Sequence, residues 1–156
     1  MEQSHFTASL NDLLEEFFEK VHGYCLDRDT SLFETLVSIS AAEASIPVGG
    51  RCATLAAQVK HVVYYLQVLQ EAITNPEPQK ADWAEVWRST ASVSEEEWLE
   101  IKQSLQYEYA TIKQVLVHNV QYTSADQFGM AMAVIAHSAY HLGEIRQALC
   151  WLHKGP

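Results

Sequence analysis

The chain has 156 residues, of which 48% are hydrophobic, and a formal net charge of -10 at pH 7. This length and composition predict one globular domain, residues 1–156, with its own hydrophobic core. The negative charge argues against binding to nucleic acid or to an anionic membrane surface, because both would repel the protein.

The N-terminal residues and the cysteines indicate a cytoplasmic protein. The first stretch, MEQSHFTASLNDLLEEFF, has neither a basic start nor an unbroken apolar core, so it does not look like a signal peptide. No apolar run reaches the roughly 18 residues that a membrane span needs. Three widely spaced cysteines without a CxxC pair are typical of a reduced protein, and we expect three small buried thiols.

The first half of the chain predicts two long helices. Residues 7–25 carry leucine, phenylalanine and valine at helical spacing, with acidic residues on the other side. Residues 53–73 carry a second apolar stripe, which Pro76 ends because a proline disfavours helical geometry in the residue before it.

Between these two helices, residues 27–51 predict a broken region. Asp29 or Thr30 is a candidate cap for a short helix that contains Leu32, Phe33 and Leu36. Ser38 or Ser40 can begin another brief turn. Pro47, Gly49 and Gly50 then mark a loop.

A long connection follows at residues 75–91. It contains Trp83 and Trp87, which are four residues apart. This spacing predicts a short helical turn that packs over one end of the molecule. We interpret both tryptophans as packing residues, since no motif of a cofactor site surrounds them.

Two further long helices are predicted in the second half. Ser94 begins the third through a capping box with Glu97, and its apolar stripe ends near residue 119. The fourth begins at Ser124 or Asp126 and runs to residue 151. Four amphipathic helices without strand-like alternation predict an all-α four-helix bundle with a long connection between its second and third helices.

Two of the seven histidines have the spacing of a helical metal-ligand pair. His137 and His141 are four residues apart, so their rings lie one turn apart on the same face of the fourth helix. A helical projection puts both at the flank of the apolar stripe, and His61 lies at the flank of the second helix. These positions favour a partly buried site between helices. Spacing alone does not select His61 over His22 or His118.

Glu144 is the acidic residue beside this pair. It follows His141 by three residues and lies next to both histidines on the helical projection. Its carboxylate is a candidate for a fourth metal ligand, for a group that orients a ligand, or for a general base. A solvated surface glutamate is an equal alternative, because exposed acids are common on helices. Tyr64, Tyr65 and Tyr140 are expected to pack near the site.

Three stretches of the chain resemble the DinB/YfiT-like family of damage-inducible-protein-like four-helix bundles. They are AAQVKHVVYYL at residues 56–66, the tryptophan block at residues 82–98, and HSAYHLGEIRQAL at residues 137–149. The resemblance covers essentially the whole chain. It implies that His61, His137 and His141 bind a divalent metal ion, usually nickel or zinc. Many members carry glutamine where this chain has Glu144, so the resemblance assigns that carboxylate no role.

The resemblance also implies a choice of functions. Characterised relatives include thiol-dependent transferases and isomerases that use mycothiol or bacillithiol, and metal-dependent hydrolases. A metalloenzyme would have open coordination positions for a small-molecule substrate or a low-molecular-weight thiol. A thiol nucleophile predicts a pocket with room for a small acidic or polar tail, whereas a water nucleophile predicts a general base, for which Glu144 is the candidate. The alternative is a non-catalytic metal-binding or interaction bundle. The resemblance implies a homodimer in either case.

Overall fold

The computed structural model describes residues 2–50 and 52–154, and these residues contain helices and no strand. The prediction of an all-α protein is therefore confirmed. No helix in this part of the chain combines the length and the apolar character that crossing a membrane requires. The seven α-helices are α1 (Glu2–Phe18), α2 (Leu32–Val37), α3 (Ala41–Ala44), α4 (Leu55–Thr74), α5 (Trp83–Ser89), α6 (Glu95–Gln114) and α7 (Ala125–Lys154).

Four of these helices, α1, α4, α6 and α7, are long and share one hydrophobic core. Helix α4 packs against both α6 and α7, and α1 packs against α7 and α6. Because α4 contacts α7 directly, residues on their facing sides can form a common site. The core residues from the four helices include Leu14, Phe18, Leu55, Val59, Val62, Leu66, Trp98, Leu105, Ile112, Leu142 and Ile145.

Helix α1 ends earlier than the sequence pattern predicts. The apolar stripe continues to about residue 25, but the helix ends at Phe18. The fully buried Glu16 explains the difference, because its carboxylate binds the segment that follows the helix. It accepts hydrogen bonds of 2.9, 2.6 and 2.8 Å from the backbone amides of Tyr24, Cys25 and Leu26. These bonds hold the chain in a turn that a continued helix could not make.

Side-chain caps set the beginnings of the other long helices. The predicted capping box of α6 is present: Ser94 N donates to Glu97 Oε2 at 2.7 Å, and Glu97 N donates to Ser94 Oγ at 3.2 Å. Helix α4 begins at Leu55, two residues later than predicted, because the Thr54 hydroxyl accepts a hydrogen bond from Ala57 N.

The third predicted helix extends through a π-helical turn. Helix α6 ends at Gln114, and the turn Val115–Asn119 continues it to the predicted end. Helix α7 then begins at Ala125, between the two predicted starts, and extends to Lys154. It is the longest helix of the described chain and carries both histidines of the predicted pair.

The short helix α5 lies against α4. The Asp82 side chain caps it by accepting hydrogen bonds from the amides of Ala84 and Glu85. The Asp82 amide in turn donates to the Tyr64 hydroxyl of α4 at 2.9 Å, and Val86 is buried. The predicted helical turn around the two tryptophans is therefore confirmed, and these contacts fix its position on the surface of α4.

The cysteines are free and exposed, contrary to the expectation of buried thiols. Cys25 and Cys52 lie in loops, and Cys150 lies near the end of α7. Loops and helix ends leave the backbone at the surface, so a small side chain there remains accessible.

Candidate metal centre

The structure brings the three candidate histidines together. His61 lies on α4, and His137 and His141 lie on α7, which packs against it. One ring nitrogen from each histidine lies within 4.8 Å of the others, close enough for all three to hold one ion. His61 and His141 are buried and His137 is half-buried, so the group lies deeper than the predicted flank position.

The nitrogens of His61 and His137 have the separation of two ligands on one ion. Their Nε2 atoms are 3.2 Å apart. Two nitrogens that each lie ~2.0–2.1 Å from a tetrahedral metal are about 3.3–3.4 Å from each other. The ring of His141 completes the group, with its centroid 4.8 Å from that of His61 and 4.5 Å from that of His137.

Glu144 lies beside the group and is engaged through both of its oxygens. Oε2 lies 2.9 Å from His141 Nδ1, and Oε1 accepts a 2.7 Å hydrogen bond from the Tyr140 hydroxyl. Oε2 and Nδ1 are close enough for an ion pair, but their relative orientation is not that of a hydrogen bond. Nδ1 of His141 accordingly has no hydrogen-bond partner among the described residues. With Nδ1 turned to the carboxylate, Nε2 is the nitrogen of His141 that is available to an ion.

Aromatic rings surround the histidines. Tyr65 stacks on His137 with ring centroids 3.6 Å apart, and Trp87 stacks on His61 at 4.5 Å. Trp83 lies 5.9 Å from His61, on the same short helix as Trp87. The expected position of Tyr65 near the site is confirmed. Trp83 and Trp87 are 39% and 40% exposed, and the ring that both contact belongs to a candidate ligand, which the sequence interpretation did not identify.

The surroundings keep the three imidazoles neutral at pH 7. Burial, together with the charges that His141 and His61 would carry, lowers the pKa of His137 to about 4. Burial and His141 lower the pKa of His61, although Glu144 opposes the change. Burial also lowers the pKa of His141 against the opposing effect of Glu144. A neutral imidazole has a free nitrogen lone pair, so protons do not compete with a metal here.

The donor set fits a borderline divalent metal ion. Nitrogen ligands of this kind suit zinc, nickel, copper or iron better than calcium or magnesium, which prefer oxygen. The Nε2 atoms of His61 and His137 face each other, and neutral imidazoles with facing nitrogens are what a nitrogen-ligated metal site requires.

Comparisons with known proteins add no relative. No family model matches the chain, and neither a curated protein nor a solved structure matches it. The functional argument therefore depends on the geometry of the site and on the sequence resemblance.

Proposed function

We propose that the protein is a divalent-metal-dependent enzyme of the DinB/YfiT-like type, with an ion held by His61, His137 and His141. The observation that carries this proposal is the convergence of three neutral imidazoles from α4 and α7 within 4.8 Å. The same proposal interprets the long helices α1, α4, α6 and α7 as the four-helix bundle of that family. The resemblance favours nickel or zinc as the ion.

The size of the ligand group supports an open site. Structural zinc sites have four protein ligands, whereas catalytic sites have three and leave a position for substrate or solvent. Within the described residues, the group that can hold an ion consists of the three histidines alone. Glu144 acts on this group through His141, whose ring it holds in the orientation that presents Nε2.

The engagement of Glu144 favours a thiol over water as the nucleophile. A divalent ion in this position supplies Lewis acidity, which lowers the pKa of a coordinated thiol or water. Activation of water benefits from a free general base, but both oxygens of Glu144 already contact side chains, those of His141 and Tyr140. A thiol has a much lower intrinsic pKa and needs no such base. We therefore propose a thiol-dependent transferase acting on a small-molecule substrate, with a hydrolase as the second candidate.

A non-catalytic metal-binding bundle is the competing function. The observation in its favour is the burial of His61, which is only 7% exposed beneath Trp87. In that case protein groups would surround the ion and small ligands would not reach it. The two functions therefore differ in whether an added ligand changes the spectrum of the bound metal.

Elemental analysis of the purified protein tests the ligand assignment. We expect about one metal ion per chain in the wild type and a loss of most of it in His61→Ala and in His141→Ala. His118→Ala is the matched control, because His118 is exposed on the π-helical turn and lies outside the ligand group. Equal and sub-stoichiometric metal in all four proteins would contradict the proposal.

A cobalt-substituted protein distinguishes the proposed functions. Addition of 2-mercaptoethanol should produce a sulfur-to-cobalt charge-transfer band if the ion accepts a thiol. A change with acetohydroxamate but none with a thiol would favour the hydrolase. A spectrum that neither reagent changes would favour the non-catalytic bundle. The proposed homodimer, which depends on the resemblance alone, is tested separately by light scattering.

A further inference from the structure

A cleft next to α5 shares the residue Trp87 with the surroundings of the histidine group. Its volume is about 580 Å³, which lies within the usual range for small-molecule sites. It lies between the beginning of α4, the preceding turn and the end of α5, and its walls include Ala53, Ala57, Trp87, Thr90 and Ala91. None of the described residues that line it is charged, although the chain has 30 charged residues.

Trp87 is common to the cleft and to the candidate metal centre. Its ring stacks on His61 with centroids 4.5 Å apart, and the same residue forms a wall of the cleft. Ala57, which also lines the cleft, precedes His61 by one turn on the same face of α4. The cleft therefore begins about one helical turn from the ligand group.

Thr90 provides an unsatisfied polar group in the wall of this cleft. The residue is 5% exposed, and its hydroxyl has no hydrogen-bond partner among the described residues. A buried hydroxyl without a partner is unfavourable, and such groups in folded proteins usually have one. A bound molecule with one polar atom would satisfy it.

A second cleft provides a contrast. It has a volume of about 410 Å³, lies between α4, α5 and α6, and also includes Thr90. Its lining contains the charged residues Lys60, Glu97 and Glu100 but not Trp87. It therefore lacks the ring that contacts His61.

We infer that the cleft beside Trp87 binds the uncharged, apolar part of the substrate whose reacting group reaches the ion. Trp87 forms the apolar wall, and the Thr90 hydroxyl is the polar contact. The substrate class is then a molecule that carries a metal-binding group on an uncharged, largely apolar body. This inference rests on the proposed metal-dependent function and specifies which substrates the site accepts.

Two hydroxamates with the same metal-binding group test the inference. Acetohydroxamate carries only a methyl group, whereas benzohydroxamate carries a phenyl ring. Calorimetric titration of protein of measured metal content should give benzohydroxamate a Kd lower by about tenfold or more, because the cleft buries the ring. The same titration with 4-carboxybenzohydroxamate should show weaker binding than with benzohydroxamate, because no described residue of the lining offers the carboxylate a positive charge.

Two neighbouring phenylalanine substitutions locate the effect. Ala91 is exposed and lines the cleft, so Ala91→Phe should fill it and remove the preference for benzohydroxamate without changing the Kd of acetohydroxamate. Ser92 is also exposed but lines the charged cleft instead, so Ser92→Phe is the matched control and should keep the preference.

The outcomes separate this inference from the proposed function. If the protein holds metal but binds both hydroxamates equally, or if Ala91→Phe and Ser92→Phe have the same effect, the cleft is not the substrate site. Tighter binding of the carboxylate probe would overturn the assignment of an uncharged substrate body. If the wild-type protein holds no metal, the proposed function fails and the inference fails with it.

Discussion

Replacement of Glu144 should weaken metal binding although Glu144 is not itself in the ligand group. Its Oε2 lies 2.9 Å from His141 Nδ1, and its other oxygen is fixed by the Tyr140 hydroxyl at 2.7 Å. Glu144→Ala removes the group that orients the ring and its negative charge near the ion. Loss of such a partner costs about 10–100-fold in metal affinity, or roughly 1.4–2.7 kcal/mol.

Two further variants separate orientation from charge. Glu144→Gln keeps an acceptor for the ring and removes only the charge, so its loss should be smaller than that of Glu144→Ala. Tyr140→Phe leaves the contact between Glu144 and His141 and should have the smallest effect of the three. The side chain of Glu144 is 40% exposed, which favours the lower end of the range for every variant.

Competition with a chelator of known affinity at pH 7.5 measures these effects. All three histidines are neutral at this pH, because burial lowers the pKa of each, so proton competition does not mask the result. Circular dichroism confirms that each variant is folded. If Glu144→Ala bound metal within twofold of the wild type, the carboxylate would not orient His141 and our interpretation of Glu144 would be wrong.

Three other predictions concern stability and access. Because the pKa of His137 is about 4 in the folded protein and 6.5 is its ordinary value, the unfolded chain takes up the proton first. The free energy of unfolding of the metal-free protein should therefore fall between pH 6.5 and 4, by on the order of 1–3 kcal/mol after allowance for partial exposure, in urea titrations. Glu16→Ala, which leaves three partly buried amides without the acceptor that the buried carboxylate provides, should cost about 2–4 kcal/mol in the same assay. Trp87→Leu removes the ring stacked on His61 and should speed loss of metal to a chelator by about two- to tenfold, measured by stopped flow.

Each of these predictions has a control. His137→Gln should reduce the fall in stability between pH 6.5 and 4 without abolishing it, because the pKa values of His61 and His141 are also lowered. An unchanged profile would mean that His137 does not contribute to it. Glu100→Ala, at an exposed position of α6, should cost less than about 0.5 kcal/mol, and an equal cost in Glu16→Ala would contradict the role of the buried carboxylate. Trp151→Leu removes an exposed ring distant in sequence from α5, and metal loss as fast as in Trp87→Leu would show a general effect.

The long helices were predictable because their signals are local. Capping boxes and apolar spacing depend on residues three or four apart, and the box of Ser94 and Glu97 is present as predicted. The end of α1 was not predictable, because it depends on hydrogen bonds that Glu16 accepts from amides eight to ten residues later. The helical spacing of apolar residues contains no information about such a contact.

The candidate site was predictable only in part for the same reason. His137 and His141 share a helix, so spacing alone indicated that their rings lie together. The choice of His61 depended on the resemblance, since its contact with α7 joins residues 76 apart in sequence. The ring of Trp87 over His61 was missed, because the path of the connection across α4 is set by tertiary contacts such as that of Tyr64 with Asp82.

X-ray absorption spectroscopy of the metal-loaded protein tests the central claim most directly. For zinc, the three-histidine site predicts three imidazole nitrogens at about 2.0–2.1 Å, with the multiple scattering typical of imidazole, and at least one further light atom from solvent or an added ligand. Two or more sulfur ligands at about 2.3 Å in thiol-free buffer, or fewer than two imidazoles, would show that His61, His137 and His141 do not form the metal centre.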